Sequence, residues 1–182
     1  MDEDMKIFRT SDNRIIQLAS KKKIKYWPVE LPIIYVSYIR ENFLHTYGSK
    51  NDQKNIDSYL EEVMREIAIP KLADGLEKAE KKQIISILKR LDTLSRSKPD
   101  LVKSIIPSIE KKIKDEDKEI SKMAAKILKN YKNVLKRREI NKKLKNLPND
   151  KELDKKLLNG EISNDEYIRL KKERLQLLQE IS

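Results

Sequence analysis

The amino-acid sequence predicts a mainly α-helical protein, a multi-helix bundle or a short array of paired helices, with a small β-containing module at its N-terminus. Beyond residue 50, apolar residues recur at steps of three and four, the period of one helix face. Only three glycines, Gly48, Gly75 and Gly160, occur in 182 residues, too few for a turn-rich β-fold. An apolar content of 38% against 39% charged suits solvent-covered amphipathic helices better than a thick enzyme interior. A chain of this length buries one core, or one core with a small appended module.

Residues 1–50 form the N-terminal module. Lys6 to Thr10 and Arg14 to Leu18 read as short strands joined by a Ser11-Asp12-Asn13 turn, with Lys21 to Trp27 a candidate third strand and basic loops joined to a helical body as the alternative to a β-module. Pro28 and Pro32 hold the chain extended and then serve as first-turn residues of a helix over 33–47. That helix is apolar over most of its circumference, so it is expected to pack on both the module and the helical body. Gly48 to Asp52 forms a loop and a boundary.

The helical body spans 51–147. Ile56, Tyr59, Leu60, Val63, Met64 and Ile67 make one seam, ended or kinked near Pro70, with Leu72 and Leu76 continuing it in a second piece. Ile84, Ile87, Leu88, Leu91 and Leu94 make the next. Leu101, Val102, Ile105, Ile106, Ile109 and Ile113 follow, with Pro107 as a kink or late start. From Asp117 to Leu147 runs a single long helix whose seam is Ile120, Met123, Ala124, Ile127, Leu128, Tyr131, Val134 and Leu135. Its apolar phase slips between Leu135 and Ile140, marking a bend or a frayed end. Residues 148–182 form a helical hairpin: Asn159-Gly160 is a C-cap pair, and Ser163 with Glu166 fits a capping box opening a last helix from Asn164 to Ile181.

The net charge of +11 and pI near 9.6 favour polyanions or an acidic protein surface as partners. A Lys- and Glu-rich exterior also occurs in proteins adapted to high temperature. The absence of cysteine excludes disulfides and thiolate chemistry. No apolar run approaches the roughly twenty residues that span a bilayer, and the acidic start lacks a signal-peptide core, so a cytoplasmic protein without membrane partners is expected. Catalysis finds no support. His45, the single histidine, has no orienting carboxylate or nucleophile in its neighbourhood of sequence, and Asp115 and Asp117 read as helix-start caps. Glu61 with Glu62, and Asp165 with Glu166, lack the further ligands of a metal site. A non-enzyme without cofactor is expected.

Two binding surfaces are candidates. The long helix carries Lys122, Lys126, Lys129, Lys132, Lys136, Arg137, Arg138, Lys142 and Lys143, either as a nucleic-acid or acidic-partner contact or as a solvated face. Near the N-terminus, Lys21, Lys22, Lys23 and Lys25 interleave with Tyr26 and Trp27, as in a single-strand stacking platform. Clustering of these rings with the following apolar helix favours a module core.

Two family resemblances extend this reading. Asp115 to Tyr131 looks like the first helix of a HEAT-type repeat, and Ser104 to Glu110 resembles a proline-bearing second helix. Ile87 to Leu91 also matches Ile127 to Tyr131 forty residues on, within the period of such repeats. The resemblance covers residues 80–135 and implies a short HEAT-like helical array acting as an adaptor for an acidic protein or RNA. Second, Trp27-Pro28-Val29-Glu30-Leu31-Pro32-Ile33 is similar to the helix start that follows the small β-domain in some GINS subunits. Arg137 to Leu144 resembles the Arg-x-x-Lys-Ile helix of that family, with Glu139 departing from it. The GINS resemblance implies a non-catalytic scaffold subunit of a DNA replication complex, hetero-oligomeric, assembled with a sister subunit and the replicative helicase.

Overall fold

In the computed structural model, which describes residues 3–181, strands β1 (Met5–Arg9) and β2 (Ile15–Ala19) pair antiparallel, Met5 opposite Ala19 and Arg9 opposite Ile15. The turn closes where Asn13 takes a φ of 63°, a left-handed conformation that its short polar side chain tolerates. Strand alternation then directs Ile16 and Leu18 inward and Ile15 and Gln17 outward. The candidate third strand is instead helical. The Ser20 hydroxyl accepts the Lys23 N–H at 3.2 Å, an N-cap that opens the one-turn helix α1 (Lys21–Ile24) and buries Ile24.

Helix α2 (Leu31–Asn42) takes Pro32 in its first turn, where no intrahelical N–H is needed, and is followed by a 3₁₀ turn at Leu44–Thr46. It is not packed all round: Ile33, Val36 and Ile39 are buried, whereas Leu31, Ile34 and Tyr38 face solvent. Ala19 of the hairpin, bonded to Tyr35, and the helices beneath cover one side. Helix α3 (Lys50–Val63) opens with a Ser49–Asp52 capping box and runs into a π-helical turn, Met64–Ala68. Pro70 explains that turn. A proline has no N–H to return to Glu66, and its ring crowds that carbonyl; widening the helix moves the Ile69 N–H onto the Met64 carbonyl and clears the way into α4 (Ile69–Lys78).

Helix α5 (Lys81–Ser97) buries Ile84, Ile87, Leu88 and Leu91, as its periodicity requires. Pro99 starts the short α6 (Pro99–Val102), and Pro107 lies in the first turn of α7 (Ile106–Lys112), so the chain from 99 to 112 is broken by a 3₁₀ turn at Lys103–Ile105. Helix α8 (Lys118–Asn146) is unbroken through the expected bend. What changes is its buried line. Ile120, Ala124 and Ile127 are buried in its first part, and Arg138, Lys142 and Lys145, eighteen residues on, are exposed. Conversely Lys122, Lys126 and Lys129 are exposed, and Ile140, Leu144 and Leu147 are buried or half-buried. Eighteen residues are about five turns, so each pair of triplets lies on one line, with Leu147 one residue past the end of the helix. The phase slip is an exchange of faces.

The chain divides into two compact units, the first ending at Leu128 and the second beginning at Lys129, so the division falls inside α8. A two-stranded hairpin cannot bury a core of its own. Ile16, Leu18, Ile24 and Ile33 accordingly join one cluster with Leu60, Leu72, Leu88, Val102 and Ile127. The second unit contains α9 (Asp150–Leu158), opened by an Asn149–Glu152 capping box, and α10 (Asn164–Ile181). Gly160, with φ 71°, closes α9, and Ser163 accepts the Glu166 N–H at 3.2 Å, as the cap signals require. The hairpin is tied by the Tyr167 hydroxyl, which donates to Asp154 at 2.6 Å.

Two polar ties hold β2 and the β-turn on the helices. The Ala19 N–H donates to the Tyr35 hydroxyl at 3.0 Å, and the Tyr59 hydroxyl donates to the Ala19 carbonyl at 2.8 Å. Burial, followed by the nearby Tyr35, pushes the Tyr59 phenol up to about 12, so it stays a donor. At the turn, one carboxylate oxygen of Asp52 accepts from the Ser11 hydroxyl (2.7 Å) and N–H (3.2 Å) and from the Ser49 hydroxyl (2.8 Å) and N–H (2.9 Å). These donors, the Ser11 hydroxyl foremost, hold its carboxyl far below the usual carboxylate range.

Tyr59→Phe leaves the Ala19 carbonyl buried without its donor and is expected to cost about 1–3 kcal/mol, read from the denaturant midpoint. Asp52 has a lowered folded pKa, so its contribution is complete above its ordinary value of 3.8 and is lost as pH falls from there toward the folded value. Asp52→Asn should therefore flatten the acid limb of the thermal midpoint against pH, with the wild type falling more steeply below about pH 4.

Candidate binding surfaces

Helix α8 concentrates the charge of the chain. It holds eleven of the 41 basic residues and two of the 30 acidic ones, a net +9 out of +11. Lys122, Lys126, Lys129, Lys132, Lys136, Arg137, Arg138, Lys142 and Lys143 are all exposed, yet they do not form one stripe. Lys122, Lys126 and Lys129 share a line, whereas Arg138 and Lys142 lie on the opposite one. Lys136 pairs with Glu180 at 3.1 Å and Lys143 with Glu139 at 3.1 Å. Lys122, Lys126, Lys129, Lys132, Arg137 and Lys142 make no ion pair with the described residues. The helix start is capped by Asp117, whose carboxylate accepts the Glu119 N–H at 2.9 Å and pairs with Lys81; this contact, with Lys81 foremost, lowers its pKa.

The N-terminal cluster is dispersed by its packing. Trp27 stands edge-on to Tyr35 with centroids 5.1 Å apart and packs on the core, and its carbonyl accepts from Lys71 at 2.9 Å. Lys21 bridges Glu62 (3.0 Å) and Glu66 (2.9 Å), and Lys22 pairs with Glu3. Lys23, Lys25 and Tyr26, the last 85% exposed, face solvent. Core packing therefore accounts for Trp27 and Tyr35.

A third surface escaped the sequence. On α2, Leu31 (40% exposed), Ile34 (41%) and Tyr38 (53%) form an apolar stripe at steps of three and four. Beside it lies a groove of about 470 Å³ lined by Pro28, Val29, Leu31, Ile34, Ala79 and Ile87, with Glu30 and Gln83 as its polar members. Gly75 allows the close packing beneath: a Cβ there would meet Ile87 Cδ1 at 2.7 Å and Val29 Cγ1 at 2.9 Å. The groove is electrically quiet, because Glu30 accepts from Arg90 at 2.8 Å and from the Ser86 hydroxyl at 2.7 Å. The signal was the all-round apolar character of α2, which exceeds what one set of neighbours can cover.

His45 lies exposed in the 3₁₀ turn, where its carbonyl accepts from Gln53. No group of three or more His, Asp or Glu positioned to hold a metal ion occurs among the described residues. No helix among them is long and apolar enough to cross a membrane. No known protein family, curated protein or solved structure matches the chain.

The two sides of α2 should respond differently to substitution. Ile34→Gln is expected to change stability by less than about 0.5 kcal/mol. Ile33→Ala, at a core position, should cost about 2–5 kcal/mol by the same chemical-denaturation measurement.

Proposed function

We propose that the protein is a non-catalytic scaffold subunit that acts through protein–protein contacts, in a replicative-helicase assembly of the kind the GINS resemblance implies. The observation that carries the scaffold reading is the α2 stripe with its groove, an apolar surface that the first unit leaves open while burying the other side of the same helix. Glu30 and Arg90 satisfy one another at its edge, so the groove offers no net charge to a polyanion and suits the apolar side chains of a partner protein helix. The setting in replication rests on the resemblance of Trp27 to Ile33 and of Arg137 to Leu144. A HEAT-like adaptor is the second reading, favoured by the charge of α8.

The test is an affinity capture from the source cells after nuclease treatment, with wild type and a Leu31→Gln/Ile34→Gln/Tyr38→Ser variant. Recovery of a second small helical protein together with the replicative helicase, lost in the variant, supports the proposal. Recovery of that pair by both proteins removes the stripe as the contact, and capture of neither overturns the replication setting.

A further inference from the structure

The second half of α8 carries its cations on two lines. Arg138, Lys142 and Lys145, at steps of four and three, occupy one flank; Lys132, Lys136 and Lys143, at steps of four and seven, occupy the other. Leu135, Glu139 and Asn146 run between them; the buried or half-buried line of Ile140, Leu144 and Leu147 lies opposite Arg138, Lys142 and Lys145 and borders the flank of Lys136 and Lys143. All six cations are exposed. The pairs Lys136–Glu180 and Lys143–Glu139 are surface ion pairs, which a phosphate exchanges at little cost.

We propose that this segment of α8 binds duplex DNA, lying in the major groove with one cationic flank toward each phosphate wall. An acidic protein surface meets a helix along one side and would use one of the two lines. A single nucleic-acid strand likewise offers one backbone. Only a partner with negative charge on both sides uses Arg138, Lys142 and Lys145 together with Lys132, Lys136 and Lys143. Size agrees: a helix with its side chains is about 10–12 Å across, and the major groove of B-DNA is about 12 Å wide. The major groove of duplex RNA is too narrow to admit it. In that pose the middle line faces the base edges, where Glu139 accepts from a cytosine amino group and Asn146 reaches adenine. The remaining charge of α8 supplies the long-range attraction that makes such binding salt-dependent.

The test is fluorescence-anisotropy titration of the full chain against a labelled DNA duplex across a salt series, with the single strand and poly-glutamate as competitors. Two triple variants are compared, Lys132→Gln/Lys136→Gln/Lys143→Gln and Arg138→Gln/Lys142→Gln/Lys145→Gln, each with helicity checked by circular dichroism. Glutamine matches lysine closely in helix propensity, so folding is preserved. Each triple should weaken duplex binding at least tenfold and flatten the log–log salt slope by up to about 0.9 per lost contact. A control triple in the first unit, Lys50→Gln/Lys54→Gln/Lys98→Gln, should have a much smaller effect. The proposal is overturned by an effect confined to one triple, by equal loss in the control, by a single strand binding as tightly as duplex, or by poly-glutamate competing as well as DNA. None of these outcomes touches the α2 stripe, so the scaffold reading stands or falls separately.

Discussion

The fold of the first unit depends on the backbone of Ala19. A two-stranded sheet leaves the outer edge of each strand without a ladder, and a buried edge must find other partners for its N–H and C=O groups. Tyr35 and Tyr59 supply both at this residue, one hydroxyl accepting and the other donating. The rings that carry these hydroxyls belong to α2 and α3, and Phe8 of β1 stands edge-on to Tyr59 at 5.7 Å. Hairpin position, helix position and core closure are thus one constraint. Asp52 repeats the logic at the far end of the hairpin, where a single carboxylate both caps α3 and holds the turn.

Helix α8 shows a second constraint, that of periodicity over length. A helix that keeps one apolar line from end to end is committed to one packed side. Here Ile120, Ala124 and Ile127 give way to Arg138, Lys142 and Lys145, while Lys122, Lys126 and Lys129 give way to Ile140, Leu144 and Leu147. The helix is therefore a surface element along different lines in its two parts. Its charge is distributed on the flanks that packing leaves open in each part, not along a continuous stripe.

Much of this was legible because the signals were local. The hairpin of α9 and α10 follows from Asn149, Gly160 and Ser163, each of which satisfies helix-end groups within a few residues of itself. The break at Pro70 follows from a missing N–H, although its form, a π-turn, does not. Lys21 to Trp27 is ambiguous in the sequence because Ile24, Tyr26 and Trp27 suit a strand, while one hydroxyl at Ser20 and the burial of Ile24 decide for a helical turn over Lys21–Ile24. The candidate surfaces divide in the same way. The charge of α8 is countable in the chain, but which cations share a flank depends on which line is buried. The α2 stripe was hidden because Leu31, Ile34 and Tyr38 differ from Ile33, Val36 and Ile39 only in what lies against them.

The sequence by itself determined the helical class, the positions of most breaks, the absence of cysteine chemistry and the concentration of positive charge in one helix. Those properties belong to residue type and spacing along the chain. Tertiary structure alone decided that the N-terminal segment shares the core of the helices, that Trp27 and Tyr35 are packed rather than displayed, and that one side of α2 stays open. The reason is physical: an apolar side chain lowers its free energy against any suitable neighbour, so periodicity names the residues able to be buried, and only the distant segments that arrive select those that are.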